Sequence, residues 1–336
     1  MSVDLSAKYL GLELSSPLVT AACSWSGKVD NLKRLEAAGV AAAVLPSLFE
    51  EQIEHEETEM SKLHDFGTDT FAEALTFFPE PQDYRTGPES YLELIEEAKK
   101  AVSMPIIASL NGTSEGGWIR YAKLMQDAGA DALELNIYYI PTGLDETAEH
   151  VERQCLDLVG AVKQSVSIPL GVKIGPHFSA IGNMCKRLVE AGADGLVLFN
   201  RFIQPDIDLE TMESATKLEL TNPYELLLPL RWIAILRGGL PETSIALTRG
   251  IHSAEEMIKA IAVGADVGMV ASMIYKQGVD SLPPLLAEMR AWLEENEYES
   301  ISQLRGSMSQ ENCPNPADFA RGNYMKALTA FTGEFI

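Results

Sequence analysis

The chain has 336 residues, of which 46% are hydrophobic and 22% charged, a balance that suits a large globular protein. Its 49 acidic residues outweigh 26 Lys and Arg, and the formal net charge of −23 disfavours binding to nucleic acid or to anionic membranes. The four cysteines form no CxxC pair and no apolar run reaches roughly 20 residues, which indicates a cytoplasmic protein without an iron–sulfur cluster, structural zinc or membrane span.

Strands and helices alternate from the start of the chain. Residues 3–16 alternate weakly in polarity and predict a short hairpin, and a buried strand follows. The eight strands are predicted at 17–22, 41–45, 105–110, a segment ending at 136, 168–174, 194–199, 244–247 and 266–270. Each precedes a helix, so the count predicts an α/β protein with a (β/α)8 TIM barrel. A dinucleotide-binding sheet is disfavoured because no glycine-rich turn follows the first strand.

A repeated sequence motif supports the count of eight helix–strand units. The segment 128–136 reads as a helix end, a glycine, a buried strand and a polar tip. The same order recurs at 188–200 and 262–272, and more loosely at 35–47. Four such copies indicate repeated helix–strand units.

The remaining segments complete a single barrel domain over 1–336. An acidic, aromatic insertion is predicted at 50–87, either a lid or a loop anchored to the barrel, and a C-terminal extension at 298–336. The stretch after Asn200 reads as a solvated acidic loop. Asp30 is predicted to cap one helix, and Ser253 to open another through a capping box with Glu256.

The strand tips should converge on one face of the barrel, where such folds place their chemistry. Small residues at the first tip leave room for a flat ring, and the asparagines can bind the edges of an amide-like ring. The predicted site comprises Ala21, Ala22, Ser47, Asn111, Asn136, Lys173, Asn200, Arg201, Arg249, Gly250, Ala271 and Ser272.

Lys173 is the most informative single residue, because burying a lysine inside a strand costs free energy unless an anionic group contacts its ammonium group. It either stabilises negative charge on a bound ring, forms a Schiff base, or pairs with a carboxylate at a strand end. The segment 248–250 with Ala271 and Ser272 predicts a phosphate cradle after strands seven and eight, helped by the helix that begins at Ser253. The scattered histidines predict no metal site.

The order of these motifs, from about Leu5 to Gly278, resembles the dihydroorotate dehydrogenase family of FMN-containing barrels. The segment 17–22 looks like the strand under the flavin, and 131–136 like the strand before the catalytic loop. Lys173 resembles the lysine that meets the flavin, and Asn200 stands where the family binds substrate. Gly250, Ala271 and Ser272 match its FMN phosphate loops. The resemblance implies FMN and hydride exchange between flavin N5 and a dihydropyrimidine-like substrate.

The chain departs from this family at the catalytic base. The family follows its asparagine with Ser-Cys-Pro-Asn or a close variant, whereas this chain reads Asn-Ile-Tyr-Tyr-Ile-Pro over 136–141. Tyr138 or Tyr139 therefore stands at the base position, and we predict a catalytic role for one of them together with Lys173. A tyrosine suits proton donation to a substrate that is being reduced, because its free pKa is about 10.

The sequence thus predicts an FMN-dependent oxidoreductase acting on a CH–CH bond, with dihydroorotate to orotate the best single reaction and pyrimidine metabolism its setting. Its partners would be a small-molecule substrate and a soluble electron donor or acceptor, and the assembly a monomer or a homodimer. Two alternatives stay open: a flavin-free phosphate-binding lyase or aldolase using Lys173, and a non-catalytic FMN binder.

Overall fold

The computed structural model of the chain describes residues 3–55, 87–114, 116–216 and 218–331. Eight parallel strands close into a barrel in the order β11-β12-β3-β4-β5-β6-β7-β8. The barrel strands are β3 (Leu18–Thr20), β4 (Ala42–Phe49), β5 (Ile106–Asn111), β6 (Ala132–Asn136), β7 (Leu170–Ile174), β8 (Gly195–Leu198), β11 (Ser244–Thr248) and β12 (Val267–Val270). Helices surround this barrel, so the predicted (β/α)8 fold is confirmed.

The outer ring of helices buries the outward side chains of the strands. Leu133 and Leu135 of β6, for example, belong to the same buried cluster as Leu158 and Val159 of the neighbouring helix. The longer helices are Val29–Ala37, Pro88–Ala101, Arg120–Asp127, Ala148–Ser165, Ile181–Glu190, Leu227–Gly239, Ala254–Val263 and Leu282–Glu295. Among the described residues, no helix combines the length and apolarity needed to cross a bilayer.

The N-terminal hairpin packs against the residues that fill the barrel. Its strands are β1 (Ala7–Tyr9) and β2 (Leu12–Leu14), paired antiparallel as predicted. Tyr9 is almost fully buried, and burial raises its pKa well above the ordinary value, with Glu134 and Asp266 adding to the effect. A neutral tyrosine therefore helps to fill the end of the barrel beneath the functional rim.

A buried ion cluster ties the last two barrel strands to the surrounding helices. Asp266 accepts a hydrogen bond from Arg237 Nη2 at 2.8 Å and from the Ile245 amide at 2.7 Å, and its other oxygen contacts Arg305. Arg237 also donates from Nε to the Gly264 carbonyl at 2.7 Å. Each strong donor in the cluster is matched by an acceptor, which is what makes burial of these charges tolerable.

Two predicted helix caps are wrong. The first helix begins at Val29, with Lys28 as its cap residue, so Asp30 lies inside its first turn. Ser253 does stand at the N-cap of the helix Ala254–Val263, but its hydroxyl donates to Glu256 Oε2 at 2.5 Å and does not accept a backbone N–H. The hydroxyl thus makes a charge-assisted hydrogen bond to the Glu256 carboxylate and no capping bond to the helix backbone.

Two loop predictions also need correction. The stretch after Asn200 is not merely a solvated loop, because it forms a second hairpin from β9 (Pro205–Asp208) and β10 (Glu213–Thr216). The C-terminal extension contains the helices Ile301–Leu304 and Gly322–Phe331. Within the predicted insertion, residues 50–55 are helical, while 56–86 lie outside the described residues, as does the prediction of a lid.

Candidate active site at the carboxyl ends of the strands

Three polar side chains stand in register along one arc of the barrel rim. Asn111 of β5 pairs with Asn136 of β6, and Asn136 pairs with Lys173 of β7. Asn200 follows β8 and donates from Nδ2 to Asn136 Oδ1 at 2.7 Å. All four residues are buried, so the rim presents a preformed row of amides next to an ammonium group.

Lys173 faces the barrel interior and is paired with Glu134. The distance from Lys173 Nζ to Glu134 Oε1 is 3.3 Å, and the side chains are only 9% and 2% exposed, respectively. Glu134 Oε2 has no partner among the described residues. Glu134 lies two residues before Asn136 on β6, and because alternate strand residues share a face, both point inward. The buried carboxylate thus lies one layer below the rim.

A cavity of about 510 Å³ opens beside Lys173 at this rim. Ala21 and Ala22 contribute small side chains to its lining, and Ala271 and Ser272 follow β12 on another side. Among the described residues, Lys173, Arg201 and Arg249 bring three cationic side chains to the lining, against the single carboxylate of Glu219. The cavity therefore gathers three cationic side chains on a chain with strong net negative charge, and each of the three is also paired with a carboxylate, Glu134 or Glu225.

Two of the cations share one carboxylate. Glu225 Oε2 lies 2.9 Å from Arg249 Nη2 and 3.2 Å from Arg201 Nε. Glu225 is held in place by a capping box with Asn222 at the start of the 3-10 helix Pro223–Leu226. The buried Nε of Arg249 has no acceptor in the part of the chain that the structure describes. A free guanidinium donor beside the cavity suits an anionic group of a ligand.

Gly250 lies where no larger residue fits. Its φ is +76°, and a Cβ atom built there would lie 2.5 Å from the backbone nitrogen of Leu226. Arg249 next to it also has a positive φ of +91°, which costs a non-glycine residue free energy. The turn after β11 is thus bent so that its backbone lines the cavity closely.

Not all predicted site residues reach this cavity. Ser47 is not a strand tip, because β4 continues to Phe49, and its hydroxyl lies 2.8 Å from that of Ser109. Asn111 and Asn136 lie beside the cavity in the rim row. The structure brings together in the lining Ala21, Ala22, Lys173, Asn200, Arg201, Arg249, Gly250, Ala271 and Ser272.

The two tyrosines have different surroundings. The hydroxyl of Tyr138 accepts a hydrogen bond from the Ile203 amide at 2.9 Å, and Ile203 lines the cavity. Tyr139 instead lines a neighbouring cavity, and its hydroxyl donates to Glu146. The hydrogen bond to Glu146 is the main cause of the raised pKa of Tyr139. Among the described residues the Tyr138 hydroxyl meets no acceptor, whereas the proton of Tyr139 is already engaged by Glu146.

Sequence reasoning missed Glu134, Glu225 and Tyr275. Glu134 gave the same signal as Lys173, a single charged residue within an apolar strand, and could have been found in that way. Glu225 and Tyr275 gave no such signal, because they lie on helices whose approach to the cavity depends on the fold. In the described part of the chain, no three His, Cys, Asp or Glu side chains form a cluster able to hold a metal ion.

Comparison with known proteins identifies the family of the chain. A family model described as dihydroorotate dehydrogenase matches residues 85–293, more than half of the chain. The chain is 28% identical over 218 residues to the catalytic subunit of dihydroorotate dehydrogenase B (NAD(+)) of Bacillus mycoides strain KBAB4, covering 62% of this chain and 69% of that protein. The subunits of the same name from Bacillus thuringiensis strain Al Hakam and Bacillus cereus strain AH187 are 27% identical with the same coverage.

The chain therefore belongs to the dihydroorotate dehydrogenase family. Membership makes it an oxidoreductase with dihydroorotate dehydrogenase-like function. Members of this family are flavoproteins, so a flavin is the cofactor that membership implies.

Proposed function

We propose that the protein is an FMN-dependent oxidoreductase that acts on a CH–CH bond. The observation that carries the proposal is the position of Lys173, whose buried ammonium group lines a cavity at the same rim as Gly250 and Ser272. A cavity of about 510 Å³ is of the size that small-molecule and cofactor sites have. Family membership supports the flavin, and the phosphate of FMN supplies the anion that the site favours.

The residues present fit FMN. Gly250, Ala271 and Ser272 would hold the phosphate with backbone groups, and the unpartnered Nε of Arg249 offers one more donor. Ala21 and Ala22 leave room for the flat ring, and Asn111 and Asn136 would bind its polar edge. When bound, FMN would accept or supply a hydride, which is two electrons and one proton.

The chain's own residues would then hold charge and move a proton. Lys173 would stabilise negative charge on the bound ring, and Glu134 fixes the position of its ammonium group. Asn200 and Arg201 would hold the substrate, with Arg201 suited to a carboxylate. A Schiff base at Lys173 is less well supported, because an ammonium group held by a carboxylate is not a nucleophile until it loses its proton.

We propose Tyr138 as the residue that exchanges a proton with the substrate, because its hydroxyl is free to donate. Tyr138→Phe should lower the rate of substrate reduction about 100-fold, the lower range for a general acid, without changing FMN affinity. Tyr139→Phe is the matched control, since the hydroxyl it removes already donates to Glu146. Rates of single turnovers of the two variants would check this. Equal losses in both would contradict the assignment.

The family relation gives the first substrate to try. Dihydroorotate, oxidised to orotate, is the best single choice, which would place the protein in pyrimidine metabolism. The relatives are catalytic subunits of a dihydroorotate dehydrogenase that is named for NAD(+). A soluble electron donor or acceptor in the cytoplasm, reached directly or through a second protein, is accordingly part of the proposal, as is a homodimer as one form of its assembly.

Titration with FMN tests the cofactor proposal directly. The protein should quench FMN fluorescence at a ratio of one FMN per chain. Gly250→Ala should weaken binding about 10-fold or more, because its Cβ would collide with the Leu226 backbone next to the cavity. Gly11→Ala is a matched control, since Gly11 has a φ of +74° but no atom within 4 Å of an added Cβ, and it lies in the N-terminal hairpin.

Absence of any FMN binding by the parent protein would overturn the cofactor proposal. If the parent protein and the Gly250→Ala variant bind FMN with equal affinity, the FMN proposal would stand. The placement of the phosphate at this turn would then be contradicted.

A further inference from the structure

A second cavity adjoins the proposed active site, and we call it the side chamber. It measures about 420 Å³, and its lining includes Tyr139, Val151, Cys155, His177, Phe178 and Phe202. These residues come from the loops after β6, β7 and β8 and from the helix Ala148–Ser165. Ile203 lines both the side chamber and the central cavity, so the two adjoin at this residue.

The walls of the side chamber are fixed by aromatic contacts. The ring of Phe202 lies 4.4 Å from that of Tyr138 and 5.0 Å from that of His177, measured between centroids. Gly175 gives room for this arrangement, because a Cβ there would lie 2.9 Å from the Phe202 ring. The chamber is therefore preformed, and aromatic rings prefer such tilted partners.

Besides the His177 imidazole and the Gln204 amide, the chamber offers few polar groups to a ligand. The hydroxyl of Tyr139 is occupied by Glu146. Burial raises the pKa of the Cys155 thiol to about 11, so this thiol is protonated and uncharged at neutral pH. Ile140, Pro141 and Val151 supply aliphatic surface. An apolar group bound here would lose contact with water without leaving many buried donors or acceptors unpaired.

A dihydropyrimidine carboxylate does not use such a chamber. All its substituents are polar, and the amides and cations of the central cavity already match them. The side chamber lies beyond Ile203, where only a further apolar part of the substrate would reach. Its volume leaves ample room for a six-membered aromatic ring, and its aromatic walls suit contact with one.

We propose that the side chamber binds an aromatic ring of the substrate, so that the natural substrate class is an aryl-substituted α,β-unsaturated carbonyl compound or its saturated counterpart. The inference rests on the proposed function, because it names the substrate class of that same site. Tyr138 lies at the boundary, with its ring against Phe202 and its hydroxyl bonded to Ile203. The proposed proton donor thus contacts two residues of the chamber lining, one of which, Ile203, also lines the central cavity.

A pair of esters tests the proposal on the FMN-loaded protein. Methyl cinnamate carries the aromatic ring and methyl crotonate carries a methyl group in its place. Calorimetry should show that the protein binds methyl cinnamate about 10- to 100-fold more tightly, the gain expected for burying one such side group. Equal affinities for the two esters, or no binding of either, would overturn the proposal.

Filling the chamber provides the matched control. Val151→Phe adds a ring to the chamber lining and should remove the preference for methyl cinnamate while leaving FMN affinity unchanged. Val189→Phe makes the same change at a half-buried position of the helix Ile181–Glu190, which does not line the chamber, and should keep the preference. If Val151→Phe does not fold, Phe178→Ala removes one wall of the chamber and should reduce the preference.

The outcomes also separate this inference from the proposed function. The same calorimetry on protein without flavin reports the chamber alone. A preference for methyl cinnamate in protein that binds no FMN would support the chamber and contradict the flavin proposal. FMN binding with rapid turnover of orotate and no preference between the esters would support the proposed function and overturn the chamber.

Discussion

Replacing Lys173 by methionine is expected to slow hydride exchange with the substrate about 10²- to 10³-fold, the usual effect of removing one group that stabilises charge in a transition state. The methionine keeps most of the side-chain volume and removes only the ammonium group. FMN should still bind, because the phosphate cradle at Gly250 and Ser272 is untouched. Anaerobic single-turnover kinetics, followed by flavin absorbance, would measure the change.

The same replacement should also destabilise the fold, because it leaves Glu134 buried without its partner. Breaking one side of a buried ion pair typically costs about 3–5 kcal/mol. Changing Glu134 to glutamine as well should restore much of the stability but none of the rate. Lys163→Met is the control, because Lys163 pairs with Asp194 at 2.6 Å at a partly exposed site. A double variant with normal kinetics would contradict the role assigned to Lys173.

Asp266→Ala is expected to lower the stability by about 3–5 kcal/mol, because it leaves Arg237 buried and removes the acceptor for the Ile245 amide. Urea unfolding would measure it as a shift of the midpoint at constant slope. The folded fraction should keep its FMN affinity, since Asp266 does not line the cavity.

Asp127→Ala is the matched control for this measurement. Asp127 pairs with Lys123 at 2.7 Å on the surface, where both side chains are about half exposed, and such pairs contribute at most about 1 kcal/mol. A loss of stability at Asp266 no larger than that at Asp127 would show that the buried cluster does not anchor the barrel.

The rim residues were predictable because the barrel repeats one unit with one period. Asn136 and Asn200 are the last residues of two similar helix–strand motifs, and a parallel barrel brings the carboxyl ends of all its strands to one face. Lys173 stood out because a buried strand rarely carries a charge without a partner. These inferences needed only periodicity, burial and the direction of the strands.

What the sequence did not reveal depends on contacts between distant segments. Ser47 looked like a strand tip because Pro46 precedes it, yet β4 continues to Phe49. Local sequence does not show that Glu225 lies between Arg201 and Arg249, since their pairing requires the helix after the second hairpin to fold over the rim. The second hairpin was missed because its polar alternation resembles that of a solvated loop.

The sequence also does not show which of the two tyrosines can donate a proton. Tyr138 and Tyr139 are adjacent in the chain and equal as candidates from sequence alone. The structure separates them because successive side chains point in different directions, one toward Ile203 and one toward Glu146. The availability of the Tyr138 proton follows from that difference and not from residue type.

The most direct test of the central proposal is to reduce the FMN-loaded protein without oxygen and mix it with orotate or with methyl cinnamate. We expect the absorbance of oxidised flavin to return faster with one of these CH=CH compounds than with buffer, and Lys173→Met to lose this acceleration. Reduced flavin that stays reduced with both compounds, in a protein shown to bind FMN, would contradict a CH–CH oxidoreductase of the proposed substrate classes.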